Sequence, residues 1–166
     1  MRFFITGKPG VGKTTILIYV VKELIKRNYT VVGFYCPEVR EGGRRIGFKI
    51  VSIPTGKERW LAKVGEGKIK VGKYAVQDEA EEVVKDVKDS LPKAQVIAID
   101  EIGPMELSMP LIKSLIDEVL KLDKPLIAVV HRNVKLNVDG KTYIVTEENR
   151  DSLKEKILNE IVRTLG

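Results

Sequence analysis

The chain has almost nothing from which a disulfide framework, a histidine-based metal centre or a membrane span could be assembled. Its one cysteine, Cys36, cannot pair within the chain, so folding must rest on an apolar core, and a reducing compartment suits it. Cys36 closes an apolar run and reads as a small buried hydrophobe rather than a nucleophile. His131 is the only histidine; at the end of an apolar run a lone imidazole reads as a structural residue with satisfied hydrogen bonds. Trp60, the only tryptophan, stands beside Leu61 and Ala62 and is expected to pack. The opening run Met-Arg-Phe-Phe-Ile-Thr-Gly breaks well short of a signal-peptide core or a membrane span, so a cytoplasmic location without membrane contact is expected.

What is present is a globular composition. The 166 residues, 43% hydrophobic and 31% charged, suffice for one domain spanning 1–166 and leave little room for a second. Abundant Lys and Glu lean toward a thermophile's usage. The net charge of +6 suits a polyanionic partner as well as a lysine-rich soluble surface. A nucleic-acid surface is compatible with that charge, but the basic residues from Lys57 to Lys70 lack the interleaved aromatics such a surface uses. A monomer is expected.

Short runs rich in β-branched and aromatic residues, at Arg2–Ile5, Thr30–Cys36, Val96–Ile99, Leu126–Val130 and Thr142–Val145, predict strands, several buried on both faces. Helical periodicity occupies Thr14–Arg27, Gln77–Leu91, Pro110–Leu122 and Asp151–Leu165. This alternation predicts the α/β class, a mostly parallel sheet with helices on both faces. Between 40 and 76 it is interrupted by seven glycines. Two alternating stretches there, Arg59–Val64 and Lys68–Tyr74, flank Gly-Glu-Gly and predict a small antiparallel hairpin or meander inserted beside the parallel sheet.

Gly7-Lys8-Pro9-Gly10-Val11-Gly12-Lys13-Thr14 satisfies G-x-x-x-x-G-K-[ST] without a substitution. Chance would produce this pattern in a chain of this length with a probability on the order of one per cent. A strand precedes it and an apolar helix, beginning Thr14-Thr15, follows it, as the chemistry requires: converging backbone N–H groups and the helix dipole together hold an anion. Lys13 would place a charge on the β- and γ-phosphate oxygens, and the Thr14 hydroxyl would be a magnesium ligand.

Asp100 and Glu101 end the apolar run Val96–Ile99. An acidic strand end is common and says little alone; beside a phosphate loop it supplies what a magnesium-bound triphosphate needs. Asp100 would serve the metal, and Glu101 would orient and deprotonate an attacking water. Glu101 also places the chain in the branch of phosphate-loop proteins that carries an extra strand between the loop strand and the acidic strand. An arginine often completes such sites, and Arg44, Arg45 and Arg132 are candidates. Arg132 should emerge at the carboxyl edge of the sheet, where ligands bind in open α/β folds.

The run Asp100-Glu101-Ile102-Gly103-Pro104-Met105-Glu106-Leu107 resembles the small thermophile-type nucleoside-triphosphatases, to which the human cancer-related nucleoside-triphosphatase is related. The likeness extends to Gly43–Phe48, Val130-His131-Arg132 and Asn149-Arg150-Asp151, and so covers essentially the whole chain. It implies a RecA-like domain and slow magnesium-dependent hydrolysis of several NTPs to NDP and phosphate. Lys8 departs from the small residue or proline of many relatives, at a position whose side chain should point away from the phosphates. Two rivals remain at this level: a small-molecule or nucleic-acid kinase with the insert as its lid, and a nucleotide-gated module that binds RNA or protein.

Overall fold

A computed structural model describes all 166 residues. The chain opens with β1 (Arg2–Gly7), α1 (Lys13–Lys26) and β2 (Val31–Tyr35). An antiparallel section follows: β3 (Glu38–Glu41), β4 (Arg44–Ile53), β5 (Glu58–Val64), β6 (Lys70–Val71) and β7 (Tyr74–Val76). Alternation then resumes with α2 (Ala80–Ser90), β8 (Val96–Ile102), α3 (Pro104–Ser108), α4 (Pro110–Lys121), β9 (Leu126–Val130), β10 (Lys141–Val145) and α5 (Arg150–Leu165).

All ten strands join one sheet in the order β10-β1-β9-β8-β2-β4-β5-β7-β6, with β3 off this path, paired to the first half of β4. The first five of that order are mutually parallel and correspond to the five strand-forming runs. Their side chains alternate between two cores, as a strand covered on both faces requires. Phe3 and Ile5 of β1, Val96 and Ala98 of β8, and Ile127 and Val129 of β9 pack with α1 and α5. Phe4, Ile97, Ile99, Leu126, Ala128 and Val130 face the opposite way, toward α2 and α4. Every one of these residues is buried. The predicted α/β class holds, and β9 is the extra strand between the loop strand β1 and the acidic strand β8.

Parallel strands bring their carboxyl ends to one edge. Register places Asp100 opposite Tyr35 of β2 and Val129 of β9, while Gly7 pairs with Val145 of β10. The phosphate loop and the acidic strand end therefore meet along a line only three strands wide.

The antiparallel section is a meander, one of the two predicted forms. It continues the main sheet instead of standing beside it, and its longest strand, β4, falls on a segment to which the sequence pattern assigns no strand. Gly47 lies within β4 because a Cβ there would stand 2.3 Å from Ala62 O and 3.1 Å from the Trp60 ring. Trp60 thus packs within the insert, as expected. The predicted pairing also shifts: β5 pairs with β7, and the Lys70–Val71 part of the second stretch becomes a short strand outside β7. Because Val51 pairs with Tyr35, the end of β4 that carries Arg44 runs past the carboxyl end of β2, by on the order of 20 Å at the rise of a strand.

Candidate functional site

Between β1 and α1 the chain curls through Gly10 at φ +78° and Gly12 at φ +110°, a conformation that side-chain-bearing residues rarely adopt. Gly12 is the N-cap of α1, so the helix begins with Lys13 and Thr14 on the loop's rim. Lys13 folds its ammonium back to donate to Gly7 O at 2.9 Å, which holds the charge over the loop itself. From there it can exchange a carbonyl for a phosphate oxygen. Thr15 is exposed in the same first turn.

Asp100 comes to this rim from the end of β8. It is 8% exposed, and burial pushes its carboxyl up to about 6, against a hydrogen bond from the Thr14 hydroxyl that favours the charged form. Glu101 raises it further and Lys13 lowers it, so all four groups share one neighbourhood. In an unbroken strand Asp100 and Glu101 would point to opposite faces. The register between β8 and β9 shifts between Asp100 and Ile102, and the irregularity re-aims Glu101. The Asp100–Glu101 peptide is cis.

Glu106 was not among the residues the motif singled out. It is 5% exposed, and its carboxyl is pushed up to about 7, first by burial and then by Glu101 and Asp100. The backbone N–H groups of Glu106 itself and of Gly103 beside the carboxylate favour its charged form and oppose that rise. Gly103 is the N-cap of α3 and Glu106 its third residue, the spacing at which a glutamate reaches back to close a helix start. A Cβ on Gly103 would meet Glu106 Oε1 at 2.7 Å and Glu101 Oε1 at 3.0 Å. The two carboxylates converge on one bare backbone position. In the sequence Glu106 appears only as a member of the Asp100–Leu107 run, three residues after Gly103, and nothing local says that it is buried. Cys36 is half-buried behind this group, donating its N–H to Asp100 O at 2.8 Å. Burial and the three carboxylates hold its thiol well above the usual range, so it is no nucleophile.

The arginines separate. Arg132 lines a cleft of about 740 Å³ with Gly7, Lys8, Pro9, Gly10 and Val11 and with Ile144–Glu148, the end of β10 and the loop that follows it. Arg44 and Arg45 do not line it. Arg45 pairs with Glu38 at 2.8 Å and lies over the Phe48 ring, and Arg44 is exposed at the start of β4. His131 donates its N–H to Ile102 O, and its Nδ1 accepts from the Asn133 N–H at 3.1 Å, as a structural histidine does. The loop after β10 is a further feature of this edge to which the sequence motifs assign no role, as is Arg150, which the sequence marks only as part of the family likeness.

A glycine loop set on the first strand of a largely parallel sheet, with an acidic strand one place removed behind an inserted neighbour, defines an α/β P-loop domain of the extra-strand type. A family model described as NTPase matches residues 2–158. The nucleoside-triphosphatase THEP1 of Saccharolobus solfataricus is 54% identical over 99% of this chain and 95% of its own length. That of Methanocaldococcus jannaschii is 48% identical over 99% of both. Among solved structures, THEP1 from Aquifex aeolicus superposes with a TM-score of 0.74 at 30% identity, over 96% of this chain and 98% of that one. A human cancer-related nucleoside triphosphatase gives 0.75 at 32%, over 96% of each. The chain belongs to the THEP1 nucleoside-triphosphatase family.

Proposed function

We propose that this protein hydrolyses nucleoside triphosphates to diphosphate and orthophosphate, slowly, with magnesium, with water as acceptor and with little preference for the base. The observation that carries the reading is the buried Asp100 carboxylate at the rim of the phosphate loop, beside the Thr14 hydroxyl and Lys13. Those two oxygens are hard donors, as magnesium prefers. No group of three or more acidic, histidine or cysteine side chains could surround a metal here, so the remaining ligands would be phosphate oxygens and water. A magnesium ion held this way would supply positive charge to the β- and γ-oxygens.

The chain's own residues account for the rest. The backbone N–H groups from Gly10 to Thr14 cradle the β-phosphate, and Lys13 meets the charge that develops beyond it. Glu101, re-aimed by the strand irregularity, takes the proton of the attacking water. Arg132 reaches the phosphates from the wall of the cleft. A phosphate loop reads phosphates and not bases, which supports broad specificity. We place the protein in the cytoplasm as a monomer; no helix is long and apolar enough to cross a membrane.

The test is orthophosphate release from ATP, GTP, CTP and UTP, with magnesium and with a chelator, and with and without added hydroxyl acceptors. Release from all four that requires magnesium and ignores the acceptors is expected. Phosphoryl transfer to an acceptor at the expense of free phosphate would replace the hydrolase by a kinase.

A further inference from the structure

A triphosphate lying across the carboxyl edge has two ends, and the sheet order decides where each goes. Asp100 and Glu101 end β8, on one side of β1 beyond β9, so the γ-phosphoryl group must face that way. The α-phosphate and the nucleoside then lie on the other side of β1, toward β10. The cleft runs in that direction, from the phosphate loop to Ile144–Glu148.

Arg150 does not line the cleft itself but lies beside the phosphate loop at Gly12. It opens α5, which packs on α1, and its Cδ is 3.5 Å from the position a Cβ of Gly12 would occupy. Its side chain therefore lies against the phosphate loop, and it makes no ion pair. The preceding loop is already ordered by Asn149, whose Oδ1 accepts from the Thr146 N–H at 2.8 Å and whose Nδ2 donates to Ile144 O at 2.9 Å. The Arg150 N–H donates in turn to Thr146 O at 3.1 Å. A guanidinium with no ion-pair partner, at the start of a helix that follows a braced loop and beside an anion-binding turn, has the chemistry to bind a phosphate.

Building on the proposed NTP site, we infer that Arg150 binds the α-phosphate of the nucleotide, and that the loop from Thr146 to Glu148 holds its nucleoside. Arg150 is a binding residue and takes no part in the chemical step. NTP and NDP share the α-phosphate, so Arg150 serves substrate and product alike.

Arg150→Ala and Arg150→Gln should therefore raise KM for NTP and Kd for NDP together, each roughly tenfold, the value of one charge-assisted hydrogen bond at an exposed site. Turnover at saturation should stay near the wild-type level, and Arg150→Lys should recover part of the loss. NDP binding by calorimetry reads the inference without any turnover, so a wild-type protein that binds NDP but releases no phosphate would sink the hydrolase reading alone. A fall in kcat at unchanged KM would move Arg150 to the γ-phosphate and overturn the inference. So would unchanged NDP binding in both variants, with circular dichroism confirming that they fold.

Discussion

Glu106→Gln isolates the energetic consequence of burying a third carboxyl beside Asp100 and Glu101. The folded protein holds the Glu106 proton to about pH 7, against an ordinary glutamate value of 4.5 in the unfolded chain. Below pH 4.5 both states are protonated and the residue costs nothing. As the pH rises from there to about 7, the unfolded chain releases the proton and the folded one retains it, so stability is lost across that window. Above it the penalty is complete, about 3 kcal/mol for a shift of this size. Glutamine keeps an oxygen to accept the Gly103 N–H and cannot ionise. Denaturant unfolding in chelator, without nucleotide, should find the two proteins alike near pH 4 and the variant more stable by up to about 3 kcal/mol near pH 9. Asp100 is present in both proteins, so its own titration largely cancels in the difference. A gap that is constant with pH, or a variant less stable at high pH, would refute the reasoning, because the carboxylate would then stabilise the fold in its charged form.

Three further outcomes follow from the site. Glu101→Gln should bind NTP normally and release phosphate about 10²–10⁴-fold more slowly in single-turnover assays, the range of a positioned base; a loss under tenfold would leave Glu101 a structural part of the bend in β8. Thr14→Val and Asp100→Asn each remove one partner of the hydroxyl–carboxylate pair and should shift the magnesium titration of activity to higher concentration, whereas a superimposable titration would remove both from the metal site. Arg132→Ala should slow phosphate release while sparing NDP binding, and the double change of Arg44 and Arg45 to Ala should leave release nearly unaltered, since Arg45 is engaged by Glu38 away from the cleft. The reverse pattern in the same assay would bring the β3–β4 hairpin over the nucleotide.

The loop motif and the strand and helix around it were legible in the sequence because they depend on neighbours in the chain: the glycines turn the backbone, and Lys13 and Thr14 open the helix they belong to. The five parallel strands were legible for a related reason. A strand covered on both faces must be apolar at successive positions, as Val96–Ile99 and Leu126–Val130 are, and that composition declares itself. The identity of Asp100 and Glu101 and the presence of an extra strand followed from the same runs. Tertiary structure alone decided the rest. β4 is a strand because Trp60 covers the bare backbone of Gly47, a contact across two strands that the glycine-rich segment does not announce. Glu106 is a surface residue by type and becomes a buried acid only because β8 and α3 close over it. Arg150 lies 138 positions from Gly12 in the chain and reaches the phosphate loop only because α5 packs on α1. Periodicity reports which face of an element is covered; which elements do the covering is settled by the mutual fit of two cores across one sheet, and that fit places the buried acid beside Asp100 and Glu101 and the arginine beside the phosphate loop.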